Sequence, residues 1–376
     1  RRHSAGATHV VQSLRKASDP ADRAALLACA GQIGGPEVLS VLVEAAGDTD
    51  ANIQVTALRA LSEWPTVEPM ETLLKTARTH PNARARAVAL RGYLRMLRMP
   101  DGALLAETPA LYREALELAQ SADEKRLVLS GLATVGSREA LAMARSLASS
   151  PELKAEAELA VLNIAHMTAG AWPAETRDAL GHLAANAEDG EVRLKATALL
   201  GTMDRFGDFV LVWEVSPAYE RQGANFSALF DIAFPPESGA TDREAGWRVM
   251  PVGTAPEQPW LMDLLALYGG EQKVAYLRTA VWSESDQDLV IEVGSDDGPK
   301  LWWNGEIVLA INTQRAVAPN QDRTNVRARA GWNTVLLKVT QNVMGWGACV
   351  RFTGPDGKPA AGLRYALPSF LKESKP

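Results

Sequence analysis

The 376-residue chain is poor in cysteine. Its two cysteines, Cys29 and Cys349, stand far apart, each within an apolar pattern. Two separate buried thiols are expected rather than a disulfide. Their scarcity says little about compartment, because a well-cored protein needs no disulfides even outside the cell. Long apolar runs are also missing: none approaches the roughly 20 residues that a membrane span needs. Among the five histidines, His80, His166 and His182 are scattered, with no ligand spacing such as HExxH, so no histidine metal centre is expected. The motifs GxSxG, Walker A, GxGxxG with a partner acid, and CxxCH are absent, so the chain is not expected to be an enzyme. A positive excess is lacking too, and a formal charge of −6 argues against a nucleic-acid partner. The chain begins Arg-Arg-His-Ser without an initiator Met or an apolar signal segment, and reads as a processed product or part of a longer chain.

The hydrophobic content of 47% is that of a soluble globular protein, and the length calls for two domains. The first half holds only two of the ten tryptophans, Trp64 and Trp172. It carries an internal repeat instead. Six segments are alike: "ADRAALLACAGQIG" from Ala21, "ANIQVTALRALSEW" from Ala51, "ARARAVALRGYLRM" from Ala83, "DEKRLVLSGLATVG" from Asp123, "LKAEAELAVLNIAH" from Leu153 and "GEVRLKATALLGTM" from Gly190. Each has apolar residues at helical spacing, as in Val55, Leu58 and Leu61. Second helices are expected between them at 36–46, 67–79, 111–120, 138–149 and 174–186, with Pro36, Asp50, Pro81 and Pro173 marking starts. The abundant alanine favours helix and lets neighbouring helices approach closely. One such hairpin cannot bury its own apolar face, so stacking must supply the core. The segment from about Ala21 to Asp204 resembles HEAT repeats, which implies an α-solenoid that serves as a scaffold for protein contact. Arg84, Arg86, Arg91, Arg95 and Arg98 make one helix basic; a solvated face with acidic partners nearby is expected ahead of a phosphate or nucleic-acid patch.

Near residue 206 the pattern changes. Strand-like runs appear at 208–215, 227–233, 273–282, 288–293, 300–303, 307–311, 324–328, 333–340 and 348–353, with turn signals such as "FPPESG", "SDDG", "NG" and "GPDGK" between them. About nine short strands point to an antiparallel β-sandwich of jelly-roll type. The expected organisation is therefore multidomain α + β: a HEAT-like helical domain over 1–205, then a β-sandwich over 206–376. No flexible linker separates them, so the sandwich is expected to dock on the last hairpin and cap its open apolar end.

The stretch "GSDDGPKLWWNG", Gly294 to Gly305, carries the candidate site. Alternation puts Leu289, Ile291 and Val293 on the core face, Leu301 and Trp303 on one face of the next strand, and Trp302 on the other. Asn304-Gly305 is a tight-turn signal. With "FPPE" and "GW" upstream and "AGWNTVLLKVTQ" downstream, this segment resembles PA14-like and related carbohydrate-binding β-sandwiches attached to secreted or periplasmic bacterial proteins. The resemblance implies a glycan ligand, and Ca²⁺ held by Asp296 and Asp297 and bridging to sugar hydroxyls. The chain departs from the pattern at Pro299 after the turn and at Asn304, where aspartate is usual.

Read as residues, each position has two meanings. Asp296 and Asp297 suit a hard cation, or are turn aspartates that accept backbone N–H groups. Trp302 offers an indole to a sugar ring, or packs beneath a loop. Arg315, Asp322 and Arg323 present donors and acceptors to hydroxyls, or clamp their own loop. Trp282 and Trp332 are expected in the core with Trp303. The leading expectation is a non-catalytic binding and scaffold protein, extracellular or periplasmic, with a protein partner on the helical repeats, a glycan on the sandwich, no required cofactor beyond Ca²⁺, and no membrane span. The alternative is a purely structural segment of a larger assembly or multidomain enzyme.

Overall fold

The computed structural model describes residues 2–99 and 102–371. Twelve helices precede the first strand among these residues: α1 (Arg2–Lys16), α2 (Pro20–Ile33), α3 (Pro36–Ala45), α4 (Ala51–Ser62), α5 (Met70–Thr79), α6 (Ala83–Leu97), α7 (Thr108–Leu118), α8 (Ala122–Leu132), α9 (Arg138–Leu147), α10 (Lys154–Thr168), α11 (Pro173–Asn186) and α12 (Gly190–Met203). None of the described helices is long and apolar enough to cross a membrane. The chain forms two compact units, Arg1–Ala103 with Ala110–Gly131, and Leu104–Pro109 with Leu132–Pro376.

In the first unit, α2, α4 and α6 lie side by side, with α3 against α4 and α5 against α6. Their starts are written in the sequence. Asp19, Asp50 and Asn82 are extended at the N-cap, and their side chains accept the N–H groups of Ala21 (2.7 Å), Asn52 (2.8 Å) and Arg84 (2.8 Å). Each such cap is worth about 1 kcal/mol. Four residues after the cap, a longer side chain reaches back to the preceding turn: Gln54 donates to the Asp48 carbonyl, and Arg86 to those of His80 (2.8 Å) and Pro81 (3.2 Å). In the second unit Asp189 and Arg193 repeat the device, with Arg193 donating to the Ala187 and Glu188 carbonyls. Leu27, Leu42, Ile53, Leu58, Leu61 and Leu73 are fully buried. Glycine sets the closest approach: a Cβ on Gly92 would lie 2.8 Å from the Ser62 Cα, so only glycine allows α4 and α6 to pack at this separation. Cys29 is exposed on α2, contrary to the expectation of a buried thiol.

The strands are β1 (Glu214–Val215), β2 (Arg248–Val249), β3 (Met262–Asp263), β4 (Lys273–Ser283), β5 (Gln287–Asp296), β6 (Pro299–Trp303), β7 (Glu306–Ala310), β8 (Asp322–Ala328), β9 (Gly331–Gln341), β10 (Gly347–Thr353) and β11 (Leu363–Ala366). They form two antiparallel sheets. One runs β2-β1-β4-β9-β6-β7, with β11 also on β4; the other runs β3-β10-β5-β8. Between them Leu277, Val281, Leu289, Ile291, Val293, Leu301, Trp303, Val335, Leu337, Val350 and Phe352 make one core. Short helices pack around the sheets: α13 (Phe226–Asp231) on β4 and β9, α14 (Asp242–Ala245), α15 (Leu264–Tyr268) on β10 and α16 (Pro368–Leu371) on β4.

Two expected strands are corrected. Residues 226–231 are helical because Asn225 caps the Ala228 N–H (3.0 Å), and Phe226, Leu229 and Phe230 fall at helical spacing. Of 208–215, only Glu214–Val215 is a strand, preceded by a single bridge from Phe209 to Arg351.

Within the second unit the sandwich rests on the C-terminal ends of α10 and α12. Val252 donates to the His166 carbonyl (2.8 Å) and its own carbonyl lies 3.0 Å from His166 Nδ1. Val212, Val249 and Leu367 form a cluster with Met167, Trp172 and Phe370. The contact therefore involves two successive hairpins. It runs along the helix ends rather than across the last helix, whose Leu194 remains 70% exposed.

Candidate functional site

The acidic turn lies between β5 and β6 at one end of the sandwich. Asp297 is buried, and its two carboxylate oxygens accept the backbone N–H groups of Arg315 (2.9 Å) and Asn342 (2.6 Å). Its own N–H donates to the Thr340 carbonyl (2.8 Å). The turn aspartate thus ties three segments together. Arg315 extends the tie: its guanidinium donates to the Ser295 carbonyl (3.2 Å) and hydroxyl (2.9 Å) and pairs with both oxygens of Asp322. Gln321 accepts from the Ser295 N–H (2.9 Å) and donates to the Ala316 carbonyl (2.7 Å). The loop over 312–321 is consequently pinned by an arginine clamp.

Asp296 differs. It is 8% exposed, and burial with the adjoining Asp297 charge pushes its carboxyl up to about 6, against a backbone N–H of Val317 that lowers it. A Cβ on Gly345 would meet its Oδ2, so the neighbouring loop packs directly against this carboxylate. The preceding residue, Met344, is 81% exposed. Ca²⁺ takes six to eight oxygens. Asp296 and Asp297 supply two carboxylates toward such a shell, one of them committed to backbone amides, and no group of three or more His, Cys, Asp or Glu among the described residues is placed to hold a metal ion.

The remaining candidates lie elsewhere. Arg323 is on the outer face of the four-stranded sheet and pairs with Glu292 (3.2 Å), a buried acid that also binds Arg351. The Asn320 amide completes the group, its nitrogen donating to Glu292 Oε1 (3.0 Å) and its oxygen accepting from Arg351 (2.7 Å). Trp302 is on the outer face of the other sheet, half-buried beside Leu336 under Leu229 and Phe234. The structure therefore brings together Asp296, Asp297, Arg315 and Asp322, and places Trp302 and Arg323 apart from them.

Trp303 is in the core as expected, but Trp282 and Trp332 are not. They face each other across β4 and β9 on the outer side of the sheet, ring centroids 5.4 Å apart and nearly perpendicular, with the Arg364 guanidinium 5.0 Å from the Trp282 ring. Trp332 is 43% exposed and is the open indole of the sandwich.

Sequence reasoning missed a buried ion pair. Lys338 has a fully buried side chain and donates to Glu237 (2.7 Å) and to the carbonyls of Phe230 (3.0 Å) and Ile232 (2.7 Å). Tyr276 donates its hydroxyl to the same Glu237. Burial lowers the Lys338 pKa, and burial with the Glu237 acceptor raises that of Tyr276. The available signal was the parity of Lys338 and Lys300, which share a face with Trp302, Leu336 and Tyr276: a face too apolar to be open to water.

Residues 7–93 match the family of HEAT repeats, so the first hairpins are HEAT repeats. No curated protein matches the chain. Among solved structures it is similar to an anti-sigma factor domain-containing protein (11% identity, TM-score 0.26, 41% of this chain and 47% of that one). It is also similar to a β-glucosidase from Kluyveromyces marxianus (13%, 0.27, 38% and 16%). A third likeness is to the PA14 domain of the antifreeze protein MpAFP (10%, 0.23, 42% and 74%). The matched part spans less than half of the first two. Likenesses this distant carry no argument about activity.

Proposed function

We propose that this chain is a non-catalytic scaffold whose HEAT repeats hold a protein partner. The observation that supports it is the HEAT match over 7–93 together with the side-by-side packing of α2, α4 and α6. Repeats of this kind use such extended surfaces for binding. Cys29 makes a test direct. It is the exposed thiol, whereas burial pushes Cys349 up to about 12 and keeps it unreactive. A photo-crosslinker attached at Cys29 in the native source should trap a defined polypeptide in a saturable way. Trapping only solvent or the chain itself would sink the scaffold reading.

A second reading is that the sandwich binds a glycan, and Trp332 supports it. An exposed indole stacks well on the apolar face of a sugar ring. The half-buried Trp302 is less suited. Glycan-array screening of the wild type and of Trp332→Ala checks this; binding unchanged by the substitution, or none by either protein, removes it.

A further inference from the structure

The basic helix α6 has a property that its neighbours lack. Helices α4 and α6 contain five arginines, Arg59, Arg84, Arg86, Arg91 and Arg95, and no Asp or Glu. Two of the five are used internally: Arg86 on the His80 and Pro81 carbonyls, and Arg95 on those of Ser62 and Trp64. The side chains of Arg59, Arg84 and Arg91 are exposed and make no hydrogen bond or ion pair among the described residues. Several other arginines on the repeats are paired, as in Arg78–Glu114, Arg138–Glu175, Arg145–Asp178 and Arg177–Asp204, whereas Arg98 and Arg113 are exposed like the three.

The three free arginines share one face. Arg59 and Arg91 each stand nine residues after their cap, Asp50 and Asn82, so they occupy equivalent positions on adjacent helices. The Gly92–Ser62 contact holds those helices together at that height. Arg84 precedes Arg91 by seven residues, two turns along the same side and about 10 Å away. Packed helix axes lie about 8–10 Å apart. The cations thus mark a corner with arms of about 10 Å, close to the spacing of every third residue of an extended chain. Guanidinium groups that are exposed and without partners favour carboxylates, to which they donate in bidentate fashion.

We infer that the α4–α6 face docks an acidic, extended protein segment with carboxylates about three residues apart. This rests on the scaffold reading and names the chemistry of its partner. Charge complementarity singles out the occupant, since α4 and α6 themselves carry arginine and no acidic residue on a chain of net charge −6.

The probe is a fluorescein-labelled peptide with glutamate at every third position, compared with its glutamine counterpart and with a single-stranded oligonucleotide of equal charge. Anisotropy should show the acidic peptide binding, weakening as salt is raised. The Arg59→Gln/Arg84→Gln/Arg91→Gln variant should bind at least ten-fold more weakly, with an unchanged thermal transition. Arg145→Gln, at a paired site on α9, should bind as the wild type. Equal binding by the triple variant overturns the inference, as does tighter binding of the oligonucleotide or no binding of the peptide. The Cys29 crosslink keeps the two readings distinct: a partner trapped equally well by the triple variant leaves the scaffold standing and removes the arginine face.

Discussion

On the helical hairpins, charged side chains stand at helix ends and on open faces, Glu158 apart. In the sandwich, Glu214, Glu292, Asp297 and Lys338 are all buried, between 0% and 4% exposed. Each sandwich charge is surrounded by its own donors or acceptors. Glu214, for example, takes Arg278 and the N–H and hydroxyl of Ser369, which fastens the C-terminal helix α16 to the sheet. A helix satisfies its backbone internally, so its polar side chains stay available. The sandwich must cover the outer face of its larger sheet with short helical turns and the loops joining them, as over 226–237. Those segments expose carbonyls that need donors, and Lys338 supplies them to Phe230 and Ile232. The contrast explains why residues expected to bind a ligand, Arg315, Asp322 and Arg323 among them, are occupied in the sandwich, while unoccupied arginines are found on the helices.

Removing Lys338 tests this contrast most severely. Lys338→Ala leaves the largely covered Glu237 without its cation and the Ile232 carbonyl without this donor, while Lys300 still donates to the Phe230 carbonyl (2.8 Å). The expected loss is about 3–5 kcal/mol, the range for breaking a buried pair from one side. Lys338→Met/Glu237→Gln removes both charges and should recover a large part of it. Urea denaturation followed by tryptophan fluorescence reports on the sandwich, which holds eight of the ten tryptophans. A double variant no better than the single one would mean that the carbonyl bonds, not the charge pair, hold the cover in place.

Asp296 gives the next largest effect, through pH. Its carboxyl is raised from 3.8 to about 6 in the folded state. Between about pH 6 and pH 4 the folded protein binds a proton that the unfolded chain does not, so this group makes the protein more stable as pH falls through that window. The full contribution approaches about 3 kcal/mol, at 1.36 kcal/mol per pKa unit. Asp296→Asn should flatten the difference between denaturation midpoints at pH 6.5 and 4.5. An unaltered pH profile in the variant would assign the dependence to other acids.

Much of the helical half was legible because its signals are local. Asp50 and Asn82 cap within three residues, and Leu58 and Leu61 keep helical spacing over a few turns. The long strands were legible for the same reason: Leu289, Ile291 and Val293 alternate faces inside one strand. What escaped reading depends on partners distant in sequence. Lys338 looks like a solvent-facing strand residue until Glu237, 101 residues earlier, is laid over it. Trp302 looks open until Leu229 and Phe234 cover it. Ser227–Ala233 was ambiguous because a short apolar run fits strand or helix, and the Asn225 cap decides.

Gly92→Ala should act on the helical side alone. The added Cβ meets Ser62 backbone and side-chain atoms that cannot retreat without separating α4 from α6. Overpacking of this kind costs about 1–3 kcal/mol. Amide exchange should rise in α4 and α6 while the strands of the sandwich keep their protection. Loss of protection in β4 and β9 would show that the two compact units do not respond separately.

The smallest effects are expected among the arginines of α6, and they discriminate most finely. Arg86→Gln removes the donor to the His80 and Pro81 carbonyls and should cost about 0.5–1.5 kcal/mol, the net worth of a hydrogen bond. Arg91→Gln touches no partner and should stay within about 0.5 kcal/mol of the wild type. The two residues are five apart on one helix and equally basic, so a thermal scan of the pair separates arginine that holds the fold from arginine left over. If Arg91→Gln destabilised as much as Arg86→Gln, the guanidinium at 91 would be structural, and the free cationic face would shrink to Arg59 and Arg84.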